Sequence, residues 1–133
     1  MISKESTVKK IQKEISSQKY DEAIKFIENN KRDLVEIDYW YYLSLCSRYS
    51  KKYNEALVIL NNVIKIDPSY ARAYQEFGHN YFKLNNYKMS LKSYLRAVRY
   101  NPTLHASWLG ILGIKNVEQN IIDLATQNVL YLK

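Results

Sequence analysis

Helix-breaking and chain-loosening residues are scarce in this sequence: three glycines and two prolines in 133 residues. Long helices can therefore run through most of it. There is one cysteine, Cys46. It excludes an internal disulfide framework, and its simplest role is that of a small apolar core residue rather than a reactive thiol. No apolar run approaches the roughly 18 residues of a membrane span. The opening Met1-Ile-Ser-Lys-Glu-Ser-Thr has no apolar centre that could serve as a signal peptide. A cytoplasmic location is the expectation. Acids are also few, with 13 Asp and Glu against 20 Lys and Arg, a formal net charge of +7. Much of the excess lies between Arg72 and Arg99, where six basic residues (Arg72, Lys83, Lys88, Lys92, Arg96, Arg99) face one acid, Glu76. A partner of acidic character is expected from that imbalance.

Nothing resembles a catalytic constellation. His79 and His105 belong to different expected helices, and Cys46 to a third. A metal site needs three or four converging ligands. Glu76 and His79 make one Glu-x-x-His turn, whereas a di-iron bundle needs two such turns and further carboxylates. Gly78, Gly110 and Gly113 are all expected inside helices, which leaves no glycine-rich phosphate loop. No catalytic residue, cofactor or metal is expected, and the chain is not expected to be an enzyme.

What the sequence does have is repetition. Trp40, Leu43, Ser44, Tyr53, Ala56, Leu60 and Val63 each precede by 34 residues Tyr74, Phe77, Gly78, Tyr87, Ser90, Tyr94 and Ala97. Tyr20, Tyr53 and Tyr87 each follow a polar pair and stand three before a small residue (Ala23, Ala56, Ser90). The spacing has a physical reason. Two helices pack closely where small residues cross, as Gly78 and Ser90 would, and aromatics at helical intervals fill the space around the crossing. Asp67-Pro68 and Asn101-Pro102 then end the second helices, because the residue before proline is pushed out of the α region.

The stretch from Ala71 to Pro102, with Tyr74, Phe77, Gly78, Tyr81, Ser90, Tyr94 and Pro102, resembles the tetratricopeptide repeat. The resemblance implies an all-α, right-handed superhelical solenoid of antiparallel helix pairs. The expected arrangement is one domain over 1–133, with units at about 4–36, 37–70, 71–104 and a divergent fourth at 105–133. The first unit lacks the aromatic and glycine of its first helix, as terminal repeats often do. In the fourth, Trp108 stands one period beyond Tyr74 and Ile111 beyond Phe77, but Gly113 and Ala125 come one place late. One extra residue in a turn near Val117-Glu118 would explain the second shift. The last helix, roughly Gln119 to Leu132, is rich in apolar residues, so a second copy, a partner or further chain is expected to cover it.

The family implies that first helices line a concave groove and that ligand contacts come mainly from positions two, five, six, nine and thirteen of a repeat. Those positions hold Asp38, Tyr41, Tyr42, Leu45 and Tyr49 in the second unit, with Arg48 beside them, and Arg72, Gln75, Glu76, His79 and Lys83 in the third. A groove of Tyr41, Tyr42, Leu45, Arg48, Tyr49, Arg72, Gln75, His79 and Lys83 would take a peptide by stacking and hydrogen bonding, with Arg72 and Lys83 meeting a carboxylate. The implied function is a protein-interaction adaptor or assembly scaffold. The clamp that such repeats use for acidic chaperone termini is not reproduced: Val8, Gln12, Tyr42, Arg72 and Glu76 occupy its places, and only Arg72 suits. Tyr42, Glu76 and Gly110 likewise exclude the asparagine ladder of glycosyltransferase-linked arrays. The stretch from Ser107-Trp108 to Lys133 is similar to the segment joining such repeats to bacterial sulfotransferase domains. That likeness gives an alternative reading, the repeat portion of a larger enzyme serving substrate recruitment or dimerisation.

Lys88, Lys92, Arg96 and Arg99, spaced 4, 4 and 3, line one face of a second helix away from the groove, a candidate anion-binding stripe. With no aromatic read as interleaved on that face, a protein is expected as partner rather than nucleic acid.

Overall fold

The computed structural model describes residues 3–132. Met1 and Ile2, in the start read above for a signal, and Lys133, the end of the fourth unit, lie outside the described residues. Among the described residues there are eight α-helices, one short 3₁₀ turn and no strand. They gather into two compact units, Met1–Pro68 and Ser69–Lys133. The first holds α1 (Lys4–Ser16), α2 (Tyr20–Asn29), α3 (Glu36–Tyr49) and α4 (Tyr53–Ile66), with the 3₁₀ turn Lys31–Asp33 before α3. The second holds α5 (Ala71–Lys83), α6 (Tyr87–Tyr100), α7 (His105–Leu112) and α8 (Gln119–Tyr131). None of the described helices is long and apolar enough to cross a membrane.

The hairpin turns close without glycine. Gln18, Lys51 and Asn85 take φ of 61°, 64° and 62°. The next N–H then reaches back to close the preceding helix: Lys19 to the Glu14 carbonyl at 2.9 Å, Lys52 to Ser47 at 2.8 Å and Asn86 to Tyr81 at 2.9 Å. This left-handed closure satisfies orphan carbonyls, and for a residue with a Cβ it costs about 1 kcal/mol. The prolines act as expected. Asp67 and Asn101, each before a proline, leave the helix at φ −138° and −146°.

The fourth turn differs from the sequence expectation. Helix α7 stops after 8 residues, and Gly113 is its C-cap rather than a helical residue. Its N–H still bonds the Leu109 and Gly110 carbonyls, but the chain then runs from Gly113 to Glu118 as a longer connection, with Asn116 left-handed at φ 61°. The extra length is therefore spread over that connection rather than confined to Val117-Glu118.

Each unit has its own core. In the first, Ile11, Ala23, Ile27, Cys46, Ala56, Leu60 and Val63 are fully buried. In the second, Tyr94, Val98, Trp108, Ile111, Ile114, Val117 and Ala125 form one cluster, with Phe82, Leu91, Ile122 and Val129 among the residues packed on it. Large apolar side chains buried in this way contribute about 1.5–3 kcal/mol each. Helix α8 buries Ala125 and half-buries Ile121, Ile122 and Val129, but Leu124, Leu130 and Tyr131 stay exposed.

Tyr94 is the element on which the second unit turns. A Cβ on Gly78 would stand 2.5 Å from its ring, and one on Gly110 would also collide with it. The ring thus lies against two backbones that only glycine allows so near. Ser90 Oγ donates to the Gly78 carbonyl at 2.8 Å, tying the α5–α6 crossing together.

Candidate functional site

In the first unit, the aromatic candidates divide into packed and exposed. Tyr41 and Tyr42 are buried, edge to face with ring centroids 5.3 Å apart, and Gln12 donates to the Tyr42 hydroxyl at 3.1 Å. Tyr42 is thereby tied to α1, and both rings have little surface exposed. Leu45 and Arg48 are half-buried, and Tyr49 is 42% exposed. The Tyr49 ring stacks on Tyr20 at 5.4 Å, with the Arg48 guanidinium 4.4 Å from its centre. Lys31 sits over Tyr39 and Trp40 at 4.7 and 5.7 Å. Burial raises the Asp38 carboxyl, and burial followed by the Glu28 charge raises the Tyr39 hydroxyl. Burial also pushes the Cys46 thiol up to about 12. It stays a neutral thiol at physiological pH, as the sequence reading of a core cysteine requires.

In the second unit, α5 presents Arg72 and Lys83 to solvent, with Gln75 and His79 half-buried. Gln75 Oε1 accepts from Ser107 Oγ at 2.7 Å, which fixes α7 against α5. His79 Nδ1 and the Tyr94 hydroxyl share a hydrogen bond of 2.5 Å, with the rings edge to face. Glu76 is buried.

His79 lines an open cleft of about 350 Å³ with Phe82, Tyr94, Ala106, Leu109, Gly110 and Gly113. A second cavity of about 420 Å³ adjoins it, sharing Phe82 and Gly113 and adding Tyr87, Lys115 and Asn116. Sequence reasoning named His79 but missed the others. The signal was present, since Ala106, Leu109, Gly110 and Gly113 are positions two, five, six and nine counted from His105. Gly110 has no side chain because of Tyr94, whereas a Cβ on Gly113 would meet nothing nearer than the Gly110 carbonyl oxygen at 3.4 Å. The missing side chain at Gly113 leaves space that both cavities use.

Lys88, Lys92, Arg96 and Arg99 all lie exposed on α6. Arg96 covers the Tyr74 ring at 5.2 Å, and Tyr74 packs on Tyr100 at 5.6 Å. The stripe thus has aromatics at its edge, which the sequence spacing had not revealed. Among the described residues, no three His, Cys, Asp or Glu side chains gather as a metal site would require.

Residues 71–104 match the tetratricopeptide-repeat family. Over 72 residues the chain is 29% identical to anaphase-promoting complex subunit 3 of Schizosaccharomyces pombe, a stretch that is 54% of this chain and 11% of that protein. The matched segment is thus about a tenth of that relative's length. A solved MamA RS-1 ArsTM double mutant superimposes with a TM-score of 0.76 at 17% identity, covering 97% of this chain and 74% of that one. A second, MamA 41-end from Desulfovibrio magneticus RS-1, gives 0.73 at 19% identity over 98% and 75%. At these identities the likeness is one of fold: an all-α helical-repeat solenoid. The family match falls on the stretch whose seven spaced positions recur one period earlier, and residues 71–104 are a tetratricopeptide repeat.

Proposed function

We propose that this chain is a non-catalytic protein-interaction scaffold whose second unit seats an extended peptide of acidic character between α5 and α7. The observation that carries this reading is the cleft itself. Its walls are Phe82, Tyr94 and Leu109, with His79 beside them and two glycines leaving room. One apolar side chain of a peptide buries there, for about 1.5–3 kcal/mol. Basic groups stand around it. Arg72 and Lys83 are exposed on α5, and Lys115 lines the adjoining cavity. Acidic residues flanking the anchor meet these cations, and Gln75 and His79 supply hydrogen bonds that fix the peptide's direction. In the first unit, Leu45, Arg48 and Tyr49 are the candidates with surface left to offer.

The test is selection from a random peptide library displayed on phage, followed by titration of the enriched peptides. Enriched sequences should share one apolar anchor flanked by acids. Gly113→Leu should weaken them at least about tenfold, because it fills the space shared by the two cavities, while φ of −79° at that residue suits any side chain. Peptides that bind Gly113→Leu as well as the parent chain, with helicity intact in both, would remove the cleft reading.

A further inference from the structure

We propose that the outer face of α6 is a second, separate binding surface, and that its ligand is single-stranded nucleic acid. Lys88, Lys92 and Arg96 follow one another at four-residue steps, about 6 Å apart along the axis, with Arg99 beside them. Helix α6 contains no acid, and the one acid between Arg72 and Arg99, Glu76, is buried. Among the described residues, Lys88, Lys92 and Arg99 have no ion-pair or hydrogen-bond partner, so no described acid neutralises their charge. A row of four cations, three of them unpaired and the fourth, Arg96, lying over the Tyr74 ring, attracts a polyanion through release of its counterions.

Which polyanion is decided by the neighbours. A stable protein interface needs an apolar centre, and a membrane-bound helix needs apolar residues to insert. The exposed large apolar residues of α6 are two tyrosines, Tyr87 and Tyr100. Tyr100 is 44% exposed and sits on Tyr74, which Arg96 covers. An exposed ring held in place by a second ring, at the end of a basic row, is a platform for an unstacked base while the row tracks the phosphates. A duplex offers no free base face to that ring, which favours a single strand.

Fluorescence anisotropy of the whole chain with a short labelled oligouridylate tests this. Binding should be saturable at low salt, and log K should fall against log salt with a slope of about −3, for four phosphate contacts at about 0.7 each. The triple variant Lys88→Glu, Lys92→Glu, Arg99→Glu should lose at least about tenfold in affinity. If it loses helicity, the corresponding triple Gln variant, with a shallower salt slope, takes its place. Tyr100→Ala should weaken binding about tenfold and leave the slope unchanged, because stacking carries no counterion term. Any of four results overturns the proposal: no saturable binding at low salt, an unaltered Tyr100→Ala, polyglutamate competing as well as the oligonucleotide, or phosphatidylserine vesicles binding where the oligonucleotide does not.

Discussion

In the first unit α3 and α4 carry Ser44 and Leu60, both fully buried; 34 residues on, α5 and α6 carry Gly78 and Tyr94. Ser44 turns its hydroxyl to the Tyr41 carbonyl of its own helix at 2.6 Å. Gly78 has no side chain, and its carbonyl is bonded by Ser90 from α6. The volume withdrawn from one helix is given to the other. The consequences reach past the hairpin, because a tyrosine is long enough to lie against Gly110 on α7 and to meet His79 with its hydroxyl. The same exchange that closes the crossing therefore builds a wall of the cleft. In the first unit the small and the large residue are closer in size, and the leucine has no hydroxyl to reach for a neighbour.

Transplanting the first unit's pair into the second would break this contrast most directly. Gly78→Ser alone drives a side chain into a ring that cannot move, and should cost about 3 kcal/mol in urea unfolding followed by circular dichroism. In a Tyr94→Leu background the same change should cost less than about 1 kcal/mol. The coupling of about 2 kcal/mol is what two residues in direct contact give. Additive costs would mean that the crossing is not organised by this pair.

The elements of this contrast were unequally visible in the sequence. Period, small residues and proline stops are local signals, so the hairpins and the ends of α4 and α6 could be read from spacing alone. Gly113 misled because a glycine near an expected slot reads as helical, while the real stop depends on how α7 meets the connection to α8. The burial of Tyr41 and Tyr42 and the clustering of Arg96, Tyr74 and Tyr100 depend on packing between helices, which a one-dimensional spacing does not carry. The cleft was readable in principle, from the slots of the fourth unit.

Cys46 sharpens the comparison through pH. Its thiol, fully buried in the first unit, is pushed up to about 12, whereas the unfolded chain ionises near 9. Between those values the unfolded state releases a proton that the folded state keeps, so stability falls as pH rises, by up to about 1.4 kcal/mol per unit. Below pH 9 both states hold the proton and the dependence vanishes. Urea titrations of the parent chain and of Cys46→Ala across pH 8 to about 11 should diverge by that slope. Parallel curves would show a thiol that reaches water. The second unit has no cysteine, so any alkaline loss confined to Cys46 belongs to the first.

The smallest effect separates what folding requires from what the surface is for. Val58 on α4 occupies the place of Lys92 on α6 and is 67% exposed. Val58→Lys and Lys92→Val should each change stability by less than about 0.5 kcal/mol, since neither side chain is buried. Thermal unfolding of the two variants checks this. If both are neutral, the charge difference between the units, eight basic residues to three acids in 69–133 against twelve to ten in 1–68, serves no structural end. Its purpose must then be sought in what the second unit binds. A marked loss on Lys92→Val would instead return the stripe to the fold, through packing of its methylene stem on α6.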